Sequence, residues 1–226
     1  MRLLYVNVNR AEGQMATGFQ ARKRLPLVFW AAIVALCIYY LYETIGYRFL
    51  TPGRLGPTLL DKQLIFWVHL LFALPVLIGA PLQFWTRLRT SRPHLHRLIG
   101  KAYVVGATIA ALTAIYLGAT IEYEGSRLPL VMLAATWLFF TLAAWRRARD
   151  RDFAGHRLFM IRSYNLALVF IWLRLVQEIP RDILFFYISD EGIRDTTIEW
   201  FIWVVPLLAM EVYLSWWPQA RGRRSA

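Results

Sequence analysis

His69, His94, His96 and His156 are the four histidines of this 226-residue chain. None stands at a zinc-finger or metalloprotease spacing. Their depth relative to the apolar runs is more informative. His94 and His96 precede the third run and His156 precedes the fifth. Alternate helices of an antiparallel series run parallel, so His96 and His156 would begin two parallel helices at similar depth. That is the geometry of a bis-histidine b-type haem, whose iron takes one nitrogen from each face. Gly100, a turn after His96, leaves room for a porphyrin edge, and Ser163 and Ala167 are small residues on the His156 face. Arg97, Lys101 and Arg157 suit haem propionates at the interface. The competing reading makes the same histidines interfacial members of Arg-rich loops. His94 and His96 are about 200° apart around a helix, so only one of them faces inward, and the spacing leaves open which. His69, in the outer third of the second run, has no histidine partner on its own side.

Ionisable side chains inside apolar runs form a second group. Arg162 lies just inside the fifth run, and Glu211 lies near the end of the sixth at a matching depth. A charge in a span is costly and usually has a partner, so an Arg162–Glu211 ion pair is expected. Arg174 sits near the other end of the fifth run, with Glu178 and Glu199 nearby. These groups read either as a proton path or substrate-anion site, lined by His69, Arg162 and Glu211, or as pairs that fix helix register.

The elements that must position these residues are transmembrane helices. The chain is 58% hydrophobic and only 18% charged, below the roughly 25% of an ordinary soluble domain. That composition excludes a disordered chain, a collagen and a disulfide-stapled miniprotein. Cys37 is the single cysteine and closes no intramolecular bridge. The net charge of +12 sits between long apolar runs, which points to the lipid bilayer and not to nucleic acid. A span needs about 20 mostly apolar residues. Runs at 25–42, 63–86, 102–121, 128–145, 158–177 and 197–217 meet that need. The expected fold is all-α, a six-helix transmembrane bundle over 25–217 with basic tails at 1–24 and 218–226. Most of the Arg and Lys fall in the two tails and in the loops after spans two and four. The positive-inside rule therefore makes both termini cytoplasmic, in the inner (plasma) membrane. Ala102, Gly106, Ala110, Ala114 and Gly118 form a small-residue stripe for close packing of a helix or a flat ligand. Pro75 and Pro206 are expected to kink their helices. No nucleophile elbow, P-loop or metal cluster is visible.

Several motifs together carry a resemblance. They are His69, then Gly79-Ala80-Pro81-Leu82-Gln83, then the run Arg92-Pro93-His94-Leu95-His96-Arg97-Leu98-Ile99-Gly100-Lys101-Ala102-Tyr103. His156-Arg157-Leu158-Phe159-Met160-Ile161-Arg162-Ser163-Tyr164, Arg174 and Glu211 complete the set. Over roughly residues 60–215 the chain resembles a family of predicted bacterial membrane proteins, domain of unknown function family 2306. That resemblance implies a polytopic inner-membrane protein. A weaker likeness is to cytochrome b561-type proteins: a span-start histidine, a Leu-Gln near the span end, a short basic loop, then His-Arg-Leu-Ile-Gly and a tyrosine. Such proteins hold two haems between helices i and i+2 and pass electrons across the membrane. The fourth span has no histidine to pair with His69, so the likeness implies one cytoplasmic-side haem b at His96 and His156, with a quinone or redox partner. The alternative function is a cofactor-free transporter, sensor or accessory protein built around the intramembrane Arg–Glu pair.

The topology is checked with reporter fusions. Fusions at Gly56 and Ser189 are expected to report the outer side, and fusions at Thr90, Asp152 and the C-terminus the cytoplasm. An inside report at Gly56 would break the first hairpin of the six-span arrangement.

Overall fold

The computed structural model describes residues 31–40, 42, 62–180 and 183–216. The two basic tails, the start of the first span and the loop containing Gly56 lie outside the described residues. The described residues form helices and turns with no strand among them. In chain order they are α1 Ala31–Tyr40, α2 Gln63–Phe84, α3 Thr86–Ser91, α4 Pro93–Ala119, α5 Glu124–Arg149, α6 Phe153–Ala167, α7 Val169–Gln177 and α8 Glu191–Glu211. A π-helical turn, Val212–Trp216, continues α8. Five of these units are long and apolar enough to cross a membrane: α2, α4, α5, the α6–α7 unit, and α8 with its π turn. The apolar α1 is shorter and falls within the expected first span.

Local chemistry sets the helix boundaries. Arg92 is held out of helical geometry before Pro93, as residues preceding proline usually are. Pro93 then opens α4, a position where its missing N–H costs nothing. The Asp152 carboxylate caps α6 by accepting from the Gly155 N–H at 2.9 Å. Asp190 caps α8 by accepting from the Ile193 N–H at 2.8 Å. Glu124 in the first turn of α5 and Arg146, Arg147 and Arg149 in its last turn complement the helix dipole.

The helices α4, α5, α6 and α8 begin earlier than their apolar runs. His94 and His96 lie in the first turn of α4 and His156 in the first turn of α6, so His96 and His156 do begin two helices, as expected. First turns of mixed polarity are invisible to a count of apolar residues. Pro75 and Pro81 lie inside a continuous α2, and Pro206 inside a continuous α8. An interruption falls at Leu168, between α6 and α7, where there is neither proline nor glycine.

The helices α2, α4, α5 and α6 pack in sequence order, each against the next, and α6 returns to α2. Helix α8 lies against α5, α6 and α7. Ile33, Cys37 and Tyr40 of α1 are buried in the same core as Val76, Ala107, Ala110, Leu166 and Ile171. Large apolar side chains also point outward: Leu64, Leu71 and Ile78 on α2, and Leu98, Val105 and Leu112 on α4. Helices apolar on both faces are those of a membrane bundle, with lipid covering the outer stripe.

The small-residue stripe on α4 is divided among neighbours. A Cβ at Gly106 would sit 2.9 Å from the Phe72 carbonyl oxygen and 3.1 Å from Val76 Cγ2, so this glycine sets the α2–α4 approach. A Cβ at Gly118 would sit 3.0 Å from Leu130 Cβ, where α4 meets the start of α5. Gly106→Ala is expected to lower stability by about 1–3 kcal/mol, the usual cost of overpacking. Gly79→Ala, whose Cβ meets only Ile99 Cγ2 at 3.6 Å, is expected to be neutral or stabilising. Thermal melts of the two variants in detergent check the contrast.

Candidate functional site

Polar groups inside the bundle fall at three levels. The first is the basic end, where α2 finishes and α4 and α6 begin. His96 is turned inward and His94 is exposed, which settles which of the pair faces the bundle. His96 and His156 stand at the same end of the bundle, each in the first turn of its helix and each partly buried. His156 Nδ1 lies 2.9 Å from the Ala144 carbonyl oxygen. A carbonyl only accepts, so Nδ1 carries the proton and Nε2 is left with a free lone pair. His96 Nδ1 is buried and makes no hydrogen bond among the described residues, and the same holds for Gln83 Nε2. Arg97, Lys101 and Arg157 are exposed around this end. The space expected beside Gly100 is covered by the Gln83 side chain, whose Oε1 would lie 3.4 Å from a Cβ there.

The second level is a hydroxyl chain. Tyr103 OH and Ser163 Oγ are 2.8 Å apart, Ser163 Oγ and Thr141 Oγ1 are 2.8 Å apart, and Thr141 Oγ1 donates to the Trp137 carbonyl at 2.8 Å. The carbonyl end fixes the direction. Thr141 spends its proton on Trp137, so Ser163 donates to Thr141 and Tyr103 donates to Ser163. The chain ties α4, α6 and α5 together and fills the space beside Ser163. Tyr164 OH adds a link from α6 to α2, donating to the Leu77 carbonyl at 3.4 Å. Each of these hydroxyls looked unremarkable in sequence. The available signal was three hydroxyl residues in three apolar runs at compatible depths.

The third level is a cavity of about 500 Å³ at the opposite end, between α2, α4, α5 and the α6–α7 break. Ala73, Ala114, Ala134 and Ala167 each face it from a different helix, with Leu117, Trp137, Val169 and Phe170 among the larger walls. Lys62 and Glu122 form its rim, and the Lys62 ammonium donates to the Thr120 carbonyl. His69 lines it. Its Nδ1 is 2.9 Å from the Ala110 carbonyl and 3.3 Å from Thr113 Oγ1.

Outside these levels, Arg162 of α6 meets Glu211 of α8 through both arms of its fork. The Nε donates to Oε1 and an Nη donates to Oε2 at 2.8 Å. Ser215, in the π turn, donates to the same carboxylate at 3.1 Å. The pair is largely buried, at 14% and 27% side-chain exposure. Arg174 donates to Gln177 Oε1 at 2.9 Å and covers the Phe170 ring. Among the described residues no three His, Cys, Asp or Glu side chains gather as a bare metal site.

A family model described as predicted membrane protein (DUF2306) covers residues 66–214, more than half of the chain. No curated protein and no solved structure matches, so the cytochrome b561 likeness gains no support from these comparisons.

A double-mutant cycle tests the buried pair. Removing one partner of such a pair costs about 3–5 kcal/mol in soluble proteins because the other charge stays buried. Glu211→Gln is expected to destabilise the bundle, and Arg162→Gln in the same chain to restore part of the loss. Additive losses would mean that the two groups do not interact.

Proposed function

The chain belongs to this family of predicted membrane proteins, and on that premise we propose that its basic end binds one b-type haem between His96 and His156 and serves membrane electron transfer. One observation carries the reading: α4 and α6 bring two imidazoles together at one end of the bundle, with the His156 ring already oriented by the Ala144 carbonyl. That backbone bond fixes the tautomer and ring plane of a metal ligand in the manner usual for coordinating histidines. The buried, unpaired Nδ1 of His96 is the second observation that fits. His96 and His156 would hold such a group with one nitrogen each, and the porphyrin would bring its own nitrogens.

A bound haem supplies a reversible one-electron couple. The chain's own residues do the rest. His96 and His156 hold and orient. Arg97, Lys101 and Arg157, exposed at the edge, balance carboxylates placed there. The Tyr103–Ser163–Thr141 chain ties α4, α5 and α6 together deeper in the bundle. Gln83 occupies the ground beside Gly100, so a porphyrin edge on that side requires its carboxamide to turn away. In this reading the basic end faces the cytoplasm from the inner membrane, where a redox protein or a quinone exchanges electrons with it.

The test is an absorption series on purified protein from haem-replete cells. Wild type is expected to be coloured and low-spin. His96→Ala and His156→Ala should each abolish or shift the spectrum, while His69→Ala and the outward-facing His94→Ala should leave it largely intact. Colourless, folded wild type would overturn the proposal and favour the cofactor-free transporter or accessory reading.

A further inference from the structure

The cavity at the opposite end plays no part in the reading of the basic end, and the hydroxyl chain lies between the two. Its size falls within the range of ordinary small-molecule sites. It exists because four helices each present an alanine at one level and because the α6–α7 unit breaks at Leu168 beside it. Irregular backbone at membrane depth is tolerated where it lines a cavity. The walls are apolar, the rim is polar, and the His69 imidazole stands among the walls beside the Trp137 indole.

The imidazole has a defined polarity. The Ala110 carbonyl accepts from His69 Nδ1, so the proton is on Nδ1 and Nε2 of the neutral ring is a lone-pair acceptor. We propose that the cavity binds a bilayer-soluble molecule with an apolar body and a hydroxyl head, such as a long-chain phenol, whose O–H donates to His69 Nε2. The apolar body replaces contacts among the alanine, leucine and aromatic walls. Among the apolar walls the hydroxyl finds its acceptor at His69, so a guest of equal bulk without a donor loses that bond.

The experiment compares 4-nonylphenol with its methyl ether, titrated calorimetrically into full-length protein in lipid nanodiscs against empty nanodiscs. The phenol is expected to bind saturably. The ether should bind roughly three- to tenfold more weakly, the worth of one net neutral hydrogen bond. His69→Phe should erase the difference between the probes, and Ala114→Phe, which fills the cavity, should abolish binding of both. Equal affinity of wild type for the two probes overturns the proposal without any variant. Unchanged binding in Ala114→Phe, or no saturable binding of the phenol, also overturns it. None of these readouts depends on haem, so the two proposals fail separately.

Discussion

A hydroxyl group inside a bilayer has no water to bond, so its proton must end on an acceptor within the protein. Tyr103, Ser163 and Thr141 meet that demand with one directed chain that terminates on the Trp137 carbonyl. The rest of the bundle depends on it. It fixes the mutual rotation of α4, α5 and α6, since each helix contributes a side chain that reaches only in one orientation. With those rotations set, His96 and His156 turn inward at one end, and the alanines of four helices turn inward at the other.

The bundle therefore has two sites of opposite character. The basic end is polar and holds the His96 and His156 imidazoles with exposed cations around them. The opposite end is an apolar volume with the His69 ring in its wall and Lys62 and Glu122 at its rim. The Arg162–Glu211 fork stands apart from both and joins α6 to α8. Its bidentate geometry, with Ser215 on the same carboxylate, ties the two helices directionally. Helix α8 packs on one side of the bundle only, and a directional bond of this kind holds it at one height.

Much of this was legible in the sequence, for reasons that can be named. Charges within apolar runs are few and costly, so matching the depths of Arg162 and Glu211 was enough to suggest their contact. Helix starts were less legible, because the first turns of α4, α6 and α8 mix polar, small and apolar residues and rest on Pro93, Asp152 and Asp190. The break at Leu168 carried no proline or glycine to announce it. The cavity was hidden because Ala73, Ala114, Ala134 and Ala167 are unremarkable singly and become a site only when four helices bring them to one level. The hydroxyl chain was hidden for a related reason: Ser and Thr in a span usually bond their own backbone, and only helix rotation decides which reach across. Gly100 looked like open space, but Gln83 from the end of α2 lies over it.

The central claim is that His96 and His156 together hold one iron porphyrin. Near-infrared magnetic circular dichroism of the oxidised, purified wild-type protein reads the two axial ligands of a low-spin ferric haem directly. The account predicts a single haem with two neutral imidazole ligands. A spectrum without haem, or one whose axial pair is not two imidazoles, would contradict it.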